Sequence, residues 1–90
     1  MENMFRILQH QNGDNLHIKL IGDFNTNSAW RLLSLLKHNS KYAKRIFIHT
    51  ACMSEINRVG LHIFHNGLSR QESLMCKITF TGDNVGKLSP

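Results

Sequence analysis

The sequence is poor in cysteine and proline. Its 90 residues include two cysteines and a single proline. Cys52 and Cys76 are too few for a disulfide framework, and their spacing is not that of a metal site. We expect both to be reduced, buried thiols, since free cysteine behaves as a small apolar residue. These features exclude the disulfide-rich class of small secreted proteins.

Long apolar runs are also missing. Crossing a bilayer takes about 20 consecutive apolar residues, and the longest run here, around residues 46–48, is only strand-sized. Residues 1–4 lack the basic end and apolar stretch of a signal peptide. We therefore expect no membrane span and a cytoplasmic location.

Acidic residues are scarce, with six against eleven lysines and arginines, which gives a net charge of +5. No two carboxylates stand at a catalytic spacing, no glycine-rich phosphate loop occurs, and neither Cys52 nor Ser54 has a readable base partner. We expect no enzyme activity and no cofactor. The basic residues are scattered along the chain, which indicates a solvated surface rather than a nucleic-acid site.

Alternating apolar residues predict a leading β-hairpin. Residues 4–10 form one strand, Asn12 and Gly13 form a turn, and Leu16, Ile18 and Leu20 lie on one face of the second strand. Residues 22–24 break this pattern. Arg45 to His49 predicts a third strand, covered on both faces because its centre is continuously apolar. We expect residues 50–57 to be irregular.

Two helices follow from apolar residues at helical spacing. The first starts among the capping residues 25–28 and ends near His38, with Ala29, Leu32, Leu33 and Leu36 inside. The second spans residues 58–69, with Leu61, Phe64 and Leu68 inside. The last strand covers residues 75–81, with Cys76, Ile78 and Phe80 on one face, and residues 85–88 form a helical stub.

This order predicts one α/β domain over residues 1–90. Strands separated by helices pair in parallel through right-handed crossovers, and the hairpin adds one antiparallel pair. We therefore expect a four-stranded mixed sheet with helices packed on it.

Three segments resemble the STAS domain, the family of sulphate-transporter and anti-sigma-factor-antagonist domains. Residues 22–25 read Gly-Asp-Phe-Asn, residues 56–61 read Ile-Asn-Arg-Val-Gly-Leu, and residues 81–85 read Thr-Gly-Asp-Asn-Val. Each segment is similar to a family segment in its place and order. The resemblance implies a STAS-like fold and a partner that docks near the start of the second helix.

The chain departs from the family where phosphorylatable members carry a Ser or Thr. Asn57 replaces the Asp, Arg58 stands in the hydroxyl position and Val59 replaces a second Ser. An arginine cannot accept a phosphoryl group and has the opposite charge to phosphate. His49 stands where many relatives carry an Asp. The family's kinase switch is therefore not expected here.

The predicted partner surface surrounds the start of the second helix. Asn57 would cap that helix or contact the partner, and Arg58 would meet an acidic group or a small anion. Val59 and Ile63, one turn apart and opposite the inner stripe, would form an apolar centre. The predicted partner-binding residues are Asn25, Thr26, Asn57, Arg58, Val59, His62, Ile63 and Asn66.

The same helix carries two histidines at a spacing that could hold a metal ion. His62 and His65 are three residues apart and share a helical face, so one metal ion could bridge them. No carboxylate or cysteine nearby in the sequence completes a ligand set. We predict no metal site, and a partly buried His65.

The resemblance implies a non-enzymatic bacterial module that regulates a partner protein by reversible binding, as an anti-sigma factor antagonist does. The partner would be an anti-sigma factor of the kinase type. A typical family member ends in a longer helix than residues 85–88 can form, so the resemblance also implies an incompletely covered sheet, which favours a homodimer or an obligate partner. Two alternatives stay open: an accessory subunit of a lipid or ABC transport ATPase, and a small-molecule or anion sensor. The sensor's site would lie between Asn25, Thr26 and Arg58, at the end of the sheet where α/β folds bind ligands.

Overall fold

The computed structural model describes residues 4–89. The expectation that residues 1–4 are not part of a signal peptide therefore falls mostly outside the described residues. The secondary-structure elements follow the chain in this order: β1 (Arg6–Asn12), β2 (Asn15–Phe24), α1 (Thr26–Asn39), β3 (Arg45–Ile56), α2 (Arg58–Ser69), α3 (Glu72–Met75), β4 (Ile78–Thr81) and α4 (Val85–Leu88). None of the helices within residues 4–89 combines the length and the apolar character that spanning a bilayer requires.

The strands form one sheet in the order β1-β2-β3-β4. β1 pairs antiparallel with β2, while β2 with β3 and β3 with β4 pair in parallel. Gly13 turns the hairpin at a φ of 62°, a conformation that glycine adopts without strain. The predicted four-stranded mixed sheet with a leading hairpin and helices packed on it is confirmed.

One face of the sheet holds the core. Leu16, Ile18 and Leu20 of β2, with Ile46 and Ile48 of β3, are almost fully buried there. The helices complete this core with Ala29, Leu32, Leu36, Phe64, Leu68, Leu74 and Leu88. The predicted inner stripes of both long helices are therefore confirmed in the main, although Leu33 and Leu61 are only partly buried.

The other face of the sheet is open. Alternation places Lys19, Phe47, His49 and Thr79 on it, and among residues 4–89 no side chain on this face is buried. The prediction that the third strand is covered on both faces was therefore wrong. Phe47, in the middle of the Ile-Phe-Ile run, is half-buried by neighbouring side chains of the sheet. One of these neighbours is His17, whose ring centroid lies 4.9 Å from that of Phe47.

α1 and α2 lie side by side and run in the same direction. The first turn of α2 touches the start of α1, where a Cβ added to Gly60 would lie 2.8 Å from the backbone of Asn25. Further along, Gly67 faces the end of the Leu33 side chain. Two glycines on one face of α2 thus allow close packing of the helix pair.

The strands β2 and β3 are longer than predicted. β2 continues through residues 22–24, helped by Gly22 at a φ of 88°. β3 continues through the segment expected to be irregular and ends at Ile56. Its register against β2 shifts between Lys19 and Ile21 and again between Gly22 and Phe24. These irregularities break the period of two that identifies a strand in a sequence.

The segment before β4 also differs from the prediction. α3 occupies Glu72–Met75, and β4 begins only at Ile78. Cys76 therefore lies in a turn and is exposed, and Cys52 is exposed on the open side of β3. The prediction of buried thiols was wrong because both residues fall outside the buried alternation. α2 has the predicted bounds, and α4 is the predicted stub.

Candidate functional site

A cleft opens where β2 and β3 end and lead into α1 and α2. It has a volume of about 470 Å³. Seven residues from the two strand ends and the following turns line it: Asp23, Phe24, Asn25, Glu55, Ile56, Asn57 and Arg58. The carboxyl ends of neighbouring parallel strands are where α/β folds commonly place their sites.

Two asparagines, Asn25 and Asn57, line the cleft and cap the helices that begin there. Asn25 caps α1, because its Oδ1 accepts a hydrogen bond from the backbone N–H of Ser28 at 3.0 Å. Asn57 caps α2 in the same way, with its Oδ1 3.1 Å from the backbone nitrogen of Gly60. Each cap satisfies a backbone donor that the first helical turn leaves free. The helix starts are thereby fixed at the edge of the sheet.

Backbone N–H groups join the end of β2 to the end of β3 and to the residue that follows it. The N–H of Asn57 donates to the carbonyl oxygen of Phe24 at 2.8 Å. The N–H of Glu55 donates to Oδ1 of Asp23 at 3.1 Å. Together with the contact between Gly60 and Asn25, these bonds hold the cleft in one shape.

The cleft carries charges of both signs. Asp23 and Glu55 lie on one side, and Arg58 is the first residue of α2. A helix N-terminus and a guanidinium both favour an anion, but two carboxylates in the same cleft oppose one. The arrangement suits a ligand or partner that carries both signs better than a simple anion.

The predicted site residues lie in two places. Asn25, Asn57 and Arg58 line the cleft, whereas Thr26 is half-buried in the first turn of α1 and is not part of the lining. The remaining four lie along α2. Val59 has 57% of its surface exposed, His62 and Asn66 are also exposed, and Ile63 is half-buried against the core.

Sequence reasoning missed part of the cleft. Glu55 and Ile56 belong to the segment that was expected to be irregular, and Asp23 belongs to residues 22–24, which were expected to end the second strand. Their place in the lining follows from the continuation of β2 and β3 to the sheet edge. The pairing of Phe24 with Ile56 brings the two strand ends together, and that contact is remote in sequence.

His65 has a structural role. Its Nε2 lies 2.9 Å from the carbonyl oxygen of Lys87 and 3.1 Å from that of Leu88, so it ties α4 to α2. The ring is half-buried, as predicted, whereas His62 is exposed. Across residues 4–89 no group of three or more histidine, cysteine or acidic side chains could hold a metal ion.

A second polar cluster lies on the open face of the sheet. The ring nitrogens of His17 and His49 approach to 3.0 Å, and Nδ1 of His49 lies 2.6 Å from Oγ1 of Thr81. Phe47 stacks on His17 with its ring centroid 4.9 Å away. Burial, His17 and Lys19, in that order of size, lower the pKa of His49 below its ordinary value. This cluster crosses β2, β3 and β4.

Comparisons with known proteins give the fold but not a family. No family model matches the chain, and no curated protein matches it. Nine chains of solved structures are similar. One of them, a crystal structure of Mglu, superposes with a TM-score of 0.70 over 84% of this chain at 17% identity. The match covers 19% of the Mglu chain, and a likeness at this identity shows the fold alone.

Proposed function

We propose that this chain is a STAS-like, non-enzymatic, bacterial and cytoplasmic protein that regulates a partner protein by reversible binding. The proposal rests on the three sequence segments that resemble the STAS family and on the mixed sheet with its leading hairpin. The partner is of the kind that anti-sigma factor antagonists bind, a kinase-like anti-sigma factor. The surface that binds it is the solvent side of α2 together with the adjoining wall of the cleft.

The observation that carries the proposal is the exposure of Val59 beside Arg58. Val59 has 57% of its surface exposed in the first turn of α2, directly next to an exposed arginine. An apolar side chain surrounded by polar ones is typical of the centre of a protein interface. Arg58 supplies a planar set of donors suited to a carboxylate on the partner.

Control of binding by phosphorylation is not part of the proposal. Arg58 occupies the place of the family's phosphoacceptor, and its guanidinium has the charge opposite to that of a phosphate. Binding would then depend on the concentration of the partner or on a ligand in the cleft. The carboxylates of Asp23 and Glu55 make a simple anion a poor ligand for that cleft.

A pull-down from the source bacterium tests the proposal. The wild-type chain is compared with a Val59→Asp, Arg58→Glu double variant. Ile63 is left unchanged because it packs against the core, and a charge there would unfold the protein. Lys41→Glu with Tyr42→Asp is the matched control, since it makes the same change of net charge at two exposed residues outside the proposed surface.

The expected result is one protein retained by wild type and by the control variant, and lost by the double variant. Identification of that protein separates an anti-sigma factor from a transport ATPase, the alternative within the same family. Retention of nothing above background, or equal retention by all three chains, would overturn the proposal. A small-molecule sensor would then be the better hypothesis.

A further inference from the structure

Trp30 is exposed on the outer side of α1. It is the only tryptophan of the chain, and 59% of its surface is exposed. Two grooves meet at its ring. One, of about 570 Å³, runs between β1 and α1, and the other, of about 340 Å³, lies between α1, the C-terminal part of α2 and α3. We call Trp30 with these two grooves the Trp30 ridge.

Apolar side chains contribute to both grooves. Ile7 and Leu35 line the first, and both are half-buried. Leu33 and Leu74 line the second, and Leu74 is 2% exposed. A large aromatic residue between two partly apolar grooves has the form of an interface anchor, and tryptophan is enriched among residues that dominate binding energy.

The charge on the ridge has one sign. Arg31 lines the first groove, and Lys37 and Arg70 line the second. No aspartate or glutamate lines either groove within residues 4–89. Arg31 is also held in place, because its guanidinium lies 5.3 Å above the ring of Phe5 and donates to the carbonyl oxygen of Phe5 at 3.3 Å.

We infer that the Trp30 ridge binds an acidic peptide segment of a partner protein, with large apolar side chains of that segment in the two grooves beside Trp30. The cations around the grooves complement the acidic residues and favour association with a segment of that charge. A peptide fits better than a nucleic acid, because the apolar side chains of the grooves offer no partner to phosphate or sugar. The ridge shares no lining residue with the cleft around Arg58, so this inference does not rest on the proposed function.

The test uses a random dodecapeptide display library selected on the full chain. Selected peptides are then titrated into the protein, with the emission of Trp30 as the signal, since no other tryptophan contributes. We expect the selected peptides to carry net negative charge and at least two large apolar residues. Their binding should shift the emission to shorter wavelength as the indole leaves water.

Variants locate the site. Lys37→Glu with Arg70→Glu should weaken binding of the selected peptides by at least about tenfold, because like charges then face each other. Lys41→Glu with Lys87→Glu makes the same change of net charge outside the grooves and should leave binding within about twofold. Trp30→Ala should abolish binding measured by calorimetry, with an unchanged circular dichroism spectrum because the side chain is exposed.

Four results of the peptide experiments would overturn the inference. They are a selection that enriches no peptides, enriched peptides without acidic character, an equal loss in both charge-reversal variants, and binding retained by Trp30→Ala. A titration with oligo-dT is the check for nucleic acid. Tighter binding of that oligonucleotide than of any selected peptide, with the same emission change, would also overturn it.

Discussion

Nδ1 of His17 lies 3.0 Å from Nε2 of His49 across two neighbouring strands. The planes of the two rings differ by 3° and their centroids are 5.3 Å apart. Because the centroids are farther apart than the nitrogens, the rings meet edge to edge. One ring donates its N–H and the other accepts, so only one of the two facing nitrogens carries a proton. Thr81 continues the chain of hydrogen bonds from His49.

This pair predicts a loss of stability in acid. Burial, His17 and Lys19 lower the pKa of His49 below 6.5, so the unfolded chain binds a proton more readily than the folded one. The stability that His49 contributes is fully present at pH values above its pKa in the unfolded chain, near 6.5. It is lost as the pH falls through the lower pKa of His49 in the folded protein. Urea unfolding at pH 7.5 and 5.5 should show that the free energy of unfolding falls more for wild type than for His49→Gln between these two pH values. Equal losses would contradict this.

Gly60 is predicted to be intolerant of a side chain. In Gly60→Ala the added Cβ would lie 2.8 Å from the backbone of Asn25, so α1 and α2 must move apart. We expect a loss of about 2 kcal/mol in the free energy of unfolding. Gly86→Ala is the control, because a Cβ there meets nothing within 4 Å and alanine favours the helix. Similar stability of the two variants in urea would show that the close approach is absent.

Thr50 is predicted to hold the turn after β4. Its hydroxyl is buried, donates to the carbonyl oxygen of Thr81 at 2.7 Å and accepts from the N–H of Asn84 at 3.2 Å. Thr50→Val keeps the shape but leaves both partners unsatisfied, which should cost about 1–3 kcal/mol. Thr79→Val, at an exposed position on the open face, should cost much less. Equal losses of thermal stability in Thr50→Val and Thr79→Val would contradict this role of Thr50.

The two thiols should react in the folded protein. Cys52 and Cys76 are both exposed, so a chromogenic disulfide reagent should label two thiols per chain without denaturant. Cys52→Ser and Cys76→Ser should each remove one of the two. Labelling that requires denaturant would restore the sequence-based expectation of buried thiols.

Sequence reasoning succeeded where local signals decide the structure. The bounds of α2 followed from a capping asparagine and apolar residues at helical spacing, and both signals lie within the segment itself. It failed where contacts remote in sequence decide. The second half of β3 is bulged and shows no apolar–polar alternation, so only its pairing with β2 makes it a strand.

The same limit applies to the candidate site. The positions of Asn57 and Arg58 could be predicted because both stand at the start of a helix. Glu55 lines the cleft only because β3 continues to Ile56, which the sequence did not indicate. The open face of the sheet could not be predicted from the sequence. An Ile-Phe-Ile run occurs both in strands that are covered on one face and in strands that are covered on two. Trp30 lies outside the inner stripe predicted for α1, and the grooves beside it are formed together with β1, α2 and α3.

The most direct measurement is amide hydrogen exchange of the chain with and without the protein captured in the pull-down. The account predicts that the partner slows exchange most in residues 57–66, and that Val59→Asp with Arg58→Glu removes this protection. Protection confined to β1 and the N-terminal half of β2, or none in α2, would contradict the claim that the start of α2 is the partner-binding surface.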